Sequence, residues 1–439
     1  MRFAPHTEDD VSSMLAAIGA SSLDELFTQI PETVRLEVPL DLPEGLSEPE
    51  LVAHLGGLAA RNRSTDDLVC FAGAGAYDHY VPSVVWALAG RSEFFTSYTP
   101  YQPELSQGVL HALFEFQSMV CDLTAMEVSN ASLYDGSTAL VEAVHMCRTH
   151  DRSRVLVTGG VDPRHVETLR TYGQGPGYEP EVLSAPEGVG GEPQVAGDVA
   201  AVVVQHPNRW GNLEDVKSLA ARTHGGGARL IQLFDPLSLG VLAPPGELGA
   251  DIAVAEGQAL GNHLHFGGPS LGILASRMRD VRSMPGRIVG ATQDLDGRIG
   301  YVLTLQAREQ HIRREKATSN ICTNQTLMAL AATIYLGWLG PAGLRELGEA
   351  CVAKAAYAAE RLCALPGVEL AFPDATSFKE FAVRLPQPAI RIRDALIDRG
   401  FLAGVPDASD GSVLLVAVTE RRTRQEIDAL ARAMGEVLA

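Results

Sequence analysis

Lysine is the scarcest charged residue in this chain: 439 residues contain four, Lys217, Lys316, Lys354 and Lys379. Cations are few altogether. The 35 Lys+Arg against 54 Asp+Glu leave a net charge of −19, which argues against nucleic acid or an anionic membrane surface as a partner. The six cysteines are scattered with no C-x-x-C pair, so neither a disulfide scaffold nor a metal framework follows; reduced, mostly buried thiols in a cytoplasm are expected. The opening MRFAPHTEDD turns acidic at once and lacks the apolar region of an export signal. Ser319 to Leu344 is the longest uncharged stretch, but it begins with Asn320, Thr323, Asn324, Gln325 and Thr326. What remains, Leu327 to Leu339, suits a buried core helix and is too short to span a membrane. There is no P-loop motif, and no repeat of a length that would indicate a solenoid or propeller.

What is present is an alternation. Residues 1–60 read as a helical and extended arm: Ser22 with Glu25 and Ser47 with Glu50 fit the S-x-x-E capping box, and Ile30 to Gly45 is punctuated by proline. Such an arm is expected to pack on a second subunit. Residues 61–320 read as a large α/β domain. A helix from Pro103 to Thr124 carries Leu105, Val109, Leu110, Leu113, Phe114 and Val120 on one stripe, and a second helix covers Ser137 to Cys147. Strands 154–158, 200–205, 228–234, 251–255 and 271–275 alternate with helices 163–172 and 213–224. Apolar strands spaced by helices predict a largely parallel sheet covered on both faces. Residues 321–439 give a long helix and then a small α+β domain.

Short motifs carry little. GAGAY (73–77) contains G-x-G, but Asp78, His79 and Tyr80 follow where a dinucleotide-binding helix should start. Gly268-Pro269-Ser270-Leu271-Gly272 matches G-x-S-x-G, yet a strand rather than a helix follows it, so a tight turn on Gly267, Gly268 and Pro269 is the reading. His263 and His265 stand two apart with no acid nearby to complete a metal set. Residues 277–316 reverse the local charge: nine Arg+Lys against five Asp+Glu give +4. That is either a solvated helix face or a surface for an acidic partner or small anion. The segment YTPYQPELSQG (98–108) is more pointed. Pro100 and Pro103 stiffen a loop that carries Tyr98 and Tyr101, and a helix start at Pro103 would favour a carboxylate.

Over nearly the whole chain the residues resemble a known family. FFTSYTPYQPELSQG, NASLYDGSTALVEA, FDPLSLGVLAPPGELGADIAVAEGQALG, FGGPSLG and REQHIRREKATSNICTNQ resemble the α subunit (subunit 1) of the two-subunit glycine dehydrogenase (decarboxylating), the P-protein of the glycine cleavage system. The resemblance implies an α/β fold of the pyridoxal-phosphate-dependent aminotransferase type (fold type I), with a largely parallel central sheet and a small C-terminal α+β domain. It also implies glycine decarboxylation with transfer of the aminomethyl group to the lipoyl arm of H-protein.

That chemistry needs a lysine holding pyridoxal phosphate as a Schiff base. In such a fold Asp235 resembles the aspartate that contacts the pyridine nitrogen, and the loop GQALGNHLHFGGP should carry the lysine. It carries none. The resemblance therefore implies that a homologous β subunit holds the lysine and the cofactor, and that the two assemble as α2β2. Asp235, Ser137 and Thr138 would be remnants of a cofactor site, with no cofactor or metal bound by this chain. Tyr98 and Tyr101 are then the residues expected to act in a shared active site, on glycine. The alternative is a non-catalytic scaffold or regulatory pseudoenzyme that stabilises the β subunit.

Overall fold

The computed structural model describes residues 5–36, 38, 40–265 and 267–439. Glu37 and Pro39 of the proline-punctuated arm, and Phe266 of the NHLHF and FGGPSLG segments, lie outside the described residues. Two units emerge, 1–62 and 63–439.

In the first unit, helices Glu8–Ile18 and Glu48–Ala59 each begin with a capping box, Thr7 with Asp10 and Ser47 with Glu50. At Ser22 the box is incomplete. The Ser22 hydroxyl accepts from the Glu25 N–H, but the Glu25 carboxylate turns to Ser21, and only a 3-10 turn, Asp24–Phe27, follows. None of the unit's described residues is buried, and Leu36, Leu42 and Val52 stand in solvent.

The second unit contains β1 (Val69–Cys70), β2 (Val128–Ser129), β3 (Arg154–Val157), β4 (Pro180–Val182), β5 (Val199–His206), β6 (Arg229–Phe234), β7 (Ile252–Glu256) and β8 (Gly272–Ser276). Strands β2 to β8 form one seven-stranded sheet in the order β2-β8-β7-β6-β5-β3-β4. The run from β7 to β4 is parallel, and β8 is antiparallel to both neighbours. The apolar run 199–204 of β5 follows from burial on both faces. Ala201 and Val203 pack with the helix Gly136–Cys147, while Val202 and Val204 pack with Val216, Leu219 and Ala220 of the helix Val216–Gly225. Each fully buried valine or leucine side chain here contributes roughly 1.5–3 kcal/mol.

Three expectations need correction. The helix expected from Pro103 begins at Gln107; Pro103–Leu105 is a 3-10 turn, and Ser106 (φ −128°) interrupts the two. The Gln107 side chain donates to the Pro103 and Tyr301 carbonyls and anchors the helix there. Leu105 is consequently 80% exposed instead of buried on the stripe, and a three-residue turn supplies no anion-binding helix end. The basic stretch 277–316 is mostly not a helix face: it contains an antiparallel hairpin, β9 (Ile288–Gln293) and β10 (Ile299–Thr304). Its turn holds Asp296-Gly297, with Gly297 at φ +78°, a pairing the sequence displays openly.

A helix from Thr326 to Cys363, bent at Gly340 where φ is +61°, leads out of the large sheet. By length and composition it could cross a membrane, but half of its most apolar window is buried, and Met328, Ala329, Ala331, Ala332 and Tyr335 sit in the main core. Beyond it lies a four-stranded antiparallel sheet: β11 (Glu369–Leu370), β12 (Glu380–Arg384), β14 (Val405–Pro406) and β15 (Val413–Ala417), ordered β11-β12-β15-β14. Between β12 and β14, β13 (Phe401–Leu402) pairs in parallel with β1.

Candidate active site

The carboxyl ends of parallel strands are where an open α/β sheet binds ligands. Here β5, β6 and β7 end at a cavity of about 330 Å³ lined by Gln205, Asp235 and Glu256 among others. Its opposite wall comes from Glu380 at the start of β12, from Phe378 and Lys379 just before it, and from Ala74 to Tyr77. The two walls meet closely. At Gly211 (φ +84°) any side chain would strike the Glu380 carbonyl, since a Cβ there would lie 1.7 Å from it.

Asp235 stands just past β6. Its Oδ1 accepts from the Leu237 N–H, and its Oδ2 lies 2.6 Å from Lys379 Nζ. Lys379 lies immediately before β12, and its side chain is 2% exposed. Nζ also lies 2.9 Å from His79 Nε2 and 3.7 Å from the centroid of the Tyr77 ring. An ammonium group has three donors, and here all three have acceptors: a carboxylate, an imidazole nitrogen and an aromatic face.

His79 Nδ1 lies 2.6 Å from Glu420 Oε2. Burial, and then the Lys379 charge, lower the His79 pKa. The imidazole is therefore neutral, donating through Nδ1 to Glu420 and accepting from Lys379 at Nε2. Burial opposes ionisation of Glu420, but the contacts that favour its charged form, led by the His79 hydrogen bond and including the Tyr80 N–H, together hold that carboxyl down at about 2. Cys351 completes a group with His79 and Glu420 whose potential ligand atoms lie within 4.8 Å of one another. Both His79 nitrogens are already engaged, and burial pushes the Cys351 thiol up to about 12.

Glu380 is the second buried acid. It accepts from the Ala74 N–H at 2.7 Å and the Tyr77 hydroxyl at 2.8 Å, and burial pushes its pKa up to about 7. At the far end, the helix Gly136–Cys147 points its N-terminus at the cavity. Asp135 caps it through the Thr138 N–H, and the Ser137 hydroxyl lies 2.7 Å from His165 Nδ1. The Gly136 N–H donates to Glu256 Oε2 at 3.0 Å, while Glu256 Oε1 accepts from the Gln258 and Leu271 N–H groups. Burial pushes Glu256 up to about 7. No side chain fits at Gly136, where a Cβ would lie 2.8 Å from the Glu256 nitrogen.

Of the residues singled out in the sequence, Asp235 and Ser137 line this cavity, and Thr138 caps the helix beside it. Tyr98 and Tyr101 do not line it. Tyr98 is 89% exposed and Tyr101 53%. Tyr101 is held on one side by Arg287, whose guanidinium lies 5.6 Å from the ring centroid, and meets His311 edge-on. Arg287, itself buried, also donates to Thr99, Asn324 and the Cys322 carbonyl. Within the basic stretch, Arg277 binds the Gly246 and Ala250 carbonyls, while Arg313 and Arg314 are exposed. His263 stacks on Trp86 with the His265 ring 6.5 Å away. Gly267 and Gly268 both take positive φ and a strand follows, so the G-x-S-x-G segment is a turn and not a nucleophile elbow.

Sequence reading missed Lys379, Glu380, Glu256, His79 and Tyr77. A signal existed for two of them: Lys379-Glu380 sits between Phe378 and Phe381, an unusual place for charge unless both side chains have partners.

The seven-stranded sheet, the cavity at its strand ends and the small antiparallel sheet define a pyridoxal-phosphate-dependent aminotransferase-like protein of fold type I. An aspartate aminotransferase from Thermus thermophilus superposes with TM-score 0.58 over 84% of this chain and 98% of its own at 18% identity, which speaks for the fold alone. The model of the glycine cleavage system P-protein family matches residues 1–434, and the chain belongs to that family. A probable glycine dehydrogenase (decarboxylating) subunit 1 from Carboxydothermus hydrogenoformans is 50% identical over 99% of both chains. The crystal structure of a glycine decarboxylase (P-protein) of the glycine cleavage system, in inhibitor-bound form, superposes with TM-score 0.94 at 46% identity over the whole of both chains.

Proposed function

We propose that this chain is the cofactor-free half of a two-subunit glycine decarboxylase in the cytoplasm. A homologous β subunit supplies pyridoxal phosphate and its Schiff-base lysine, and the two pair as αβ and again as α2β2. Glycine loses its carboxylate as CO2, and its aminomethyl group passes to the lipoyl arm of H-protein, whose disulfide is reduced as the new C–S bond forms. Neither nucleic acid nor a membrane takes part.

The observation that carries this reading is the state of the cavity's lysine. Lys379 is the sole lysine among the lining residues, and its nitrogen is committed to Asp235, the group that a pyridine ring would need. The segment after β7, GQALGNHLHFGGPS, holds no lysine at all. The cavity residues therefore do not fit pyridoxal phosphate. Tyr98 and Tyr101, exposed on a loop stiffened by Pro100 and Pro103, serve glycine's carboxylate in the partner's site, where two phenol donors align the scissile bond.

The test is purification of the full chain alone and with its β partner, followed by visible absorbance and borohydride reduction with peptide mapping. The chain alone should be colourless and inactive. A pyridoxyl group on any of its four lysines would overturn the division of labour. The scaffold reading draws on the same committed lysine; it gains if the tyrosines prove dispensable.

A further inference from the structure

We propose that this chain fills its own cofactor cavity with charge: Lys379 occupies the place of a ring N–H opposite Asp235, and Glu256 occupies the place of a phosphate at the N-terminus of the helix Gly136–Cys147. This rests on the reading that the β subunit holds the cofactor and says why this chain does not. Loss of an aldimine lysine alone would leave a pocket still able to bind the cofactor non-covalently, through its ring nitrogen and its phosphate. Both of those recognition points are taken.

At the Asp235 end, Nζ is 2.6 Å from the carboxylate and is held there by His79 and the Tyr77 face. A pyridinium nitrogen approaching Asp235 would have to displace an ammonium whose other contacts are all internal. At the helix end, Glu256 accepts three N–H groups, from Gly136, Gln258 and Leu271, at 2.9–3.0 Å. These are donors of the kind that cradle a phosphate. A carboxyl group already there takes these three donors from a second anion.

The overall charge agrees. The lining carries five carboxyl groups (Asp135, Asp162, Asp235, Glu256, Glu380) against two cations, Lys379 and Arg164, and Arg164 is paired with Asp162. A phosphate monoester carries about −1.5 to −2 at neutral pH, and both cations of the lining are already paired with carboxylates, so neither is free to receive it. The Lys379–Asp235 ion pair has a structural result: it joins the end of β6 in the large sheet to the start of β12 in the small one.

The probe is pyridoxamine 5′-phosphate, which has no aldehyde to react with surface lysines, in equilibrium dialysis against the full chain. Wild type should not saturate at millimolar probe. The double variant Lys379→Ala/Glu256→Ala should bind about tenfold tighter or better, because it frees both recognition points. One-to-one saturation of wild type at low micromolar probe would overturn the proposal, as would a folded double variant that binds no tighter. Because the double variant can fail to fold, a second measurement uses wild type. Pulse acetylation with mass spectrometry should label Lys379 at least about tenfold more slowly than exposed Lys217 and Lys316, since a buried amine reacts only through opening. Equal rates would overturn the proposal too. Decarboxylation by the αβ complex, measured in parallel, separates the two ideas: rapid labelling in an active complex sinks only the filled cavity, and slow labelling in an inactive complex sinks only the functional reading.

Discussion

Lys379 Nζ lies 2.6 Å from Asp235 Oδ2, and their side chains are 2% and 13% exposed. The pair crosses between the two sheets of the second unit. Desolvation of two charges offsets much of their attraction, so the pair as a whole adds little stability over an apolar replacement. Breaking it from one side is another matter. Lys379→Met should cost about 3–5 kcal/mol, because Asp235 is left buried and uncompensated. The double variant Lys379→Met/Asp235→Asn should recover much of that loss. Denaturant unfolding of the four proteins of this cycle measures the coupling, and additive effects would show that the two groups act independently.

The pH dependence follows from the raised carboxyls. Glu380 and Glu256 each have an ordinary value of 4.5 pushed up to about 7 by burial. Between those values the folded chain holds more protons than the unfolded one, so stability from these groups is present below the unfolded value and falls as pH rises toward 7. Glu380→Gln should remove its share of that fall, on the order of 1–3 kcal/mol between pH 5 and 8. Unfolding free energies of wild type and variant across that range should diverge in slope; parallel curves would mean that Glu380 is ionised throughout.

Tyr98→Phe and Tyr101→Phe should each lower glycine turnover by the αβ complex by roughly tenfold or more, the loss expected for one hydrogen bond to a charged group. The complex should keep its size and the partner its visible absorbance. Wild-type rates and normal glycine affinity in both variants would make the loop structural and favour the scaffold.

Arg313 and Arg314 are exposed, so reversing both to Glu should change the stability of the isolated chain by no more than about 0.5 kcal/mol. Assembly with the β subunit should weaken at least tenfold and become less sensitive to salt. Sedimentation of variant and wild-type mixtures decides it, and unchanged association would remove these residues from the interface.

Much of the large domain is legible in the chain because its elements have local causes. Strands β3, β5, β6, β7 and β8 each lie within a residue or two of the apolar runs that predict them. The helix Pro163–Gly173 starts where Asp162 and Pro163 require. The short strands β2 and β4 were invisible, being two and three residues long with no periodicity to read. The helix expected at 213 starts at Val216 because Leu213 is bound elsewhere, its N–H donating to the Thr376 carbonyl. That contact joins segments far apart in the chain.

By itself the sequence determined the layered α/β architecture, the family, the scarcity of lysine and its absence from the segment that follows β7. These depend on apolar period, residue identity and order, which are properties of the chain as a string. Only the tertiary structure decided that Lys379, just before β12 of the small sheet, faces Asp235, that Glu256 closes the helix end at Gly136, and that His79 passes the same network on to Glu420. Nothing local places those partners. Each is buried or half-buried, each would be costly alone, and they become affordable together only once two sheets and a helix end have been packed around one cavity.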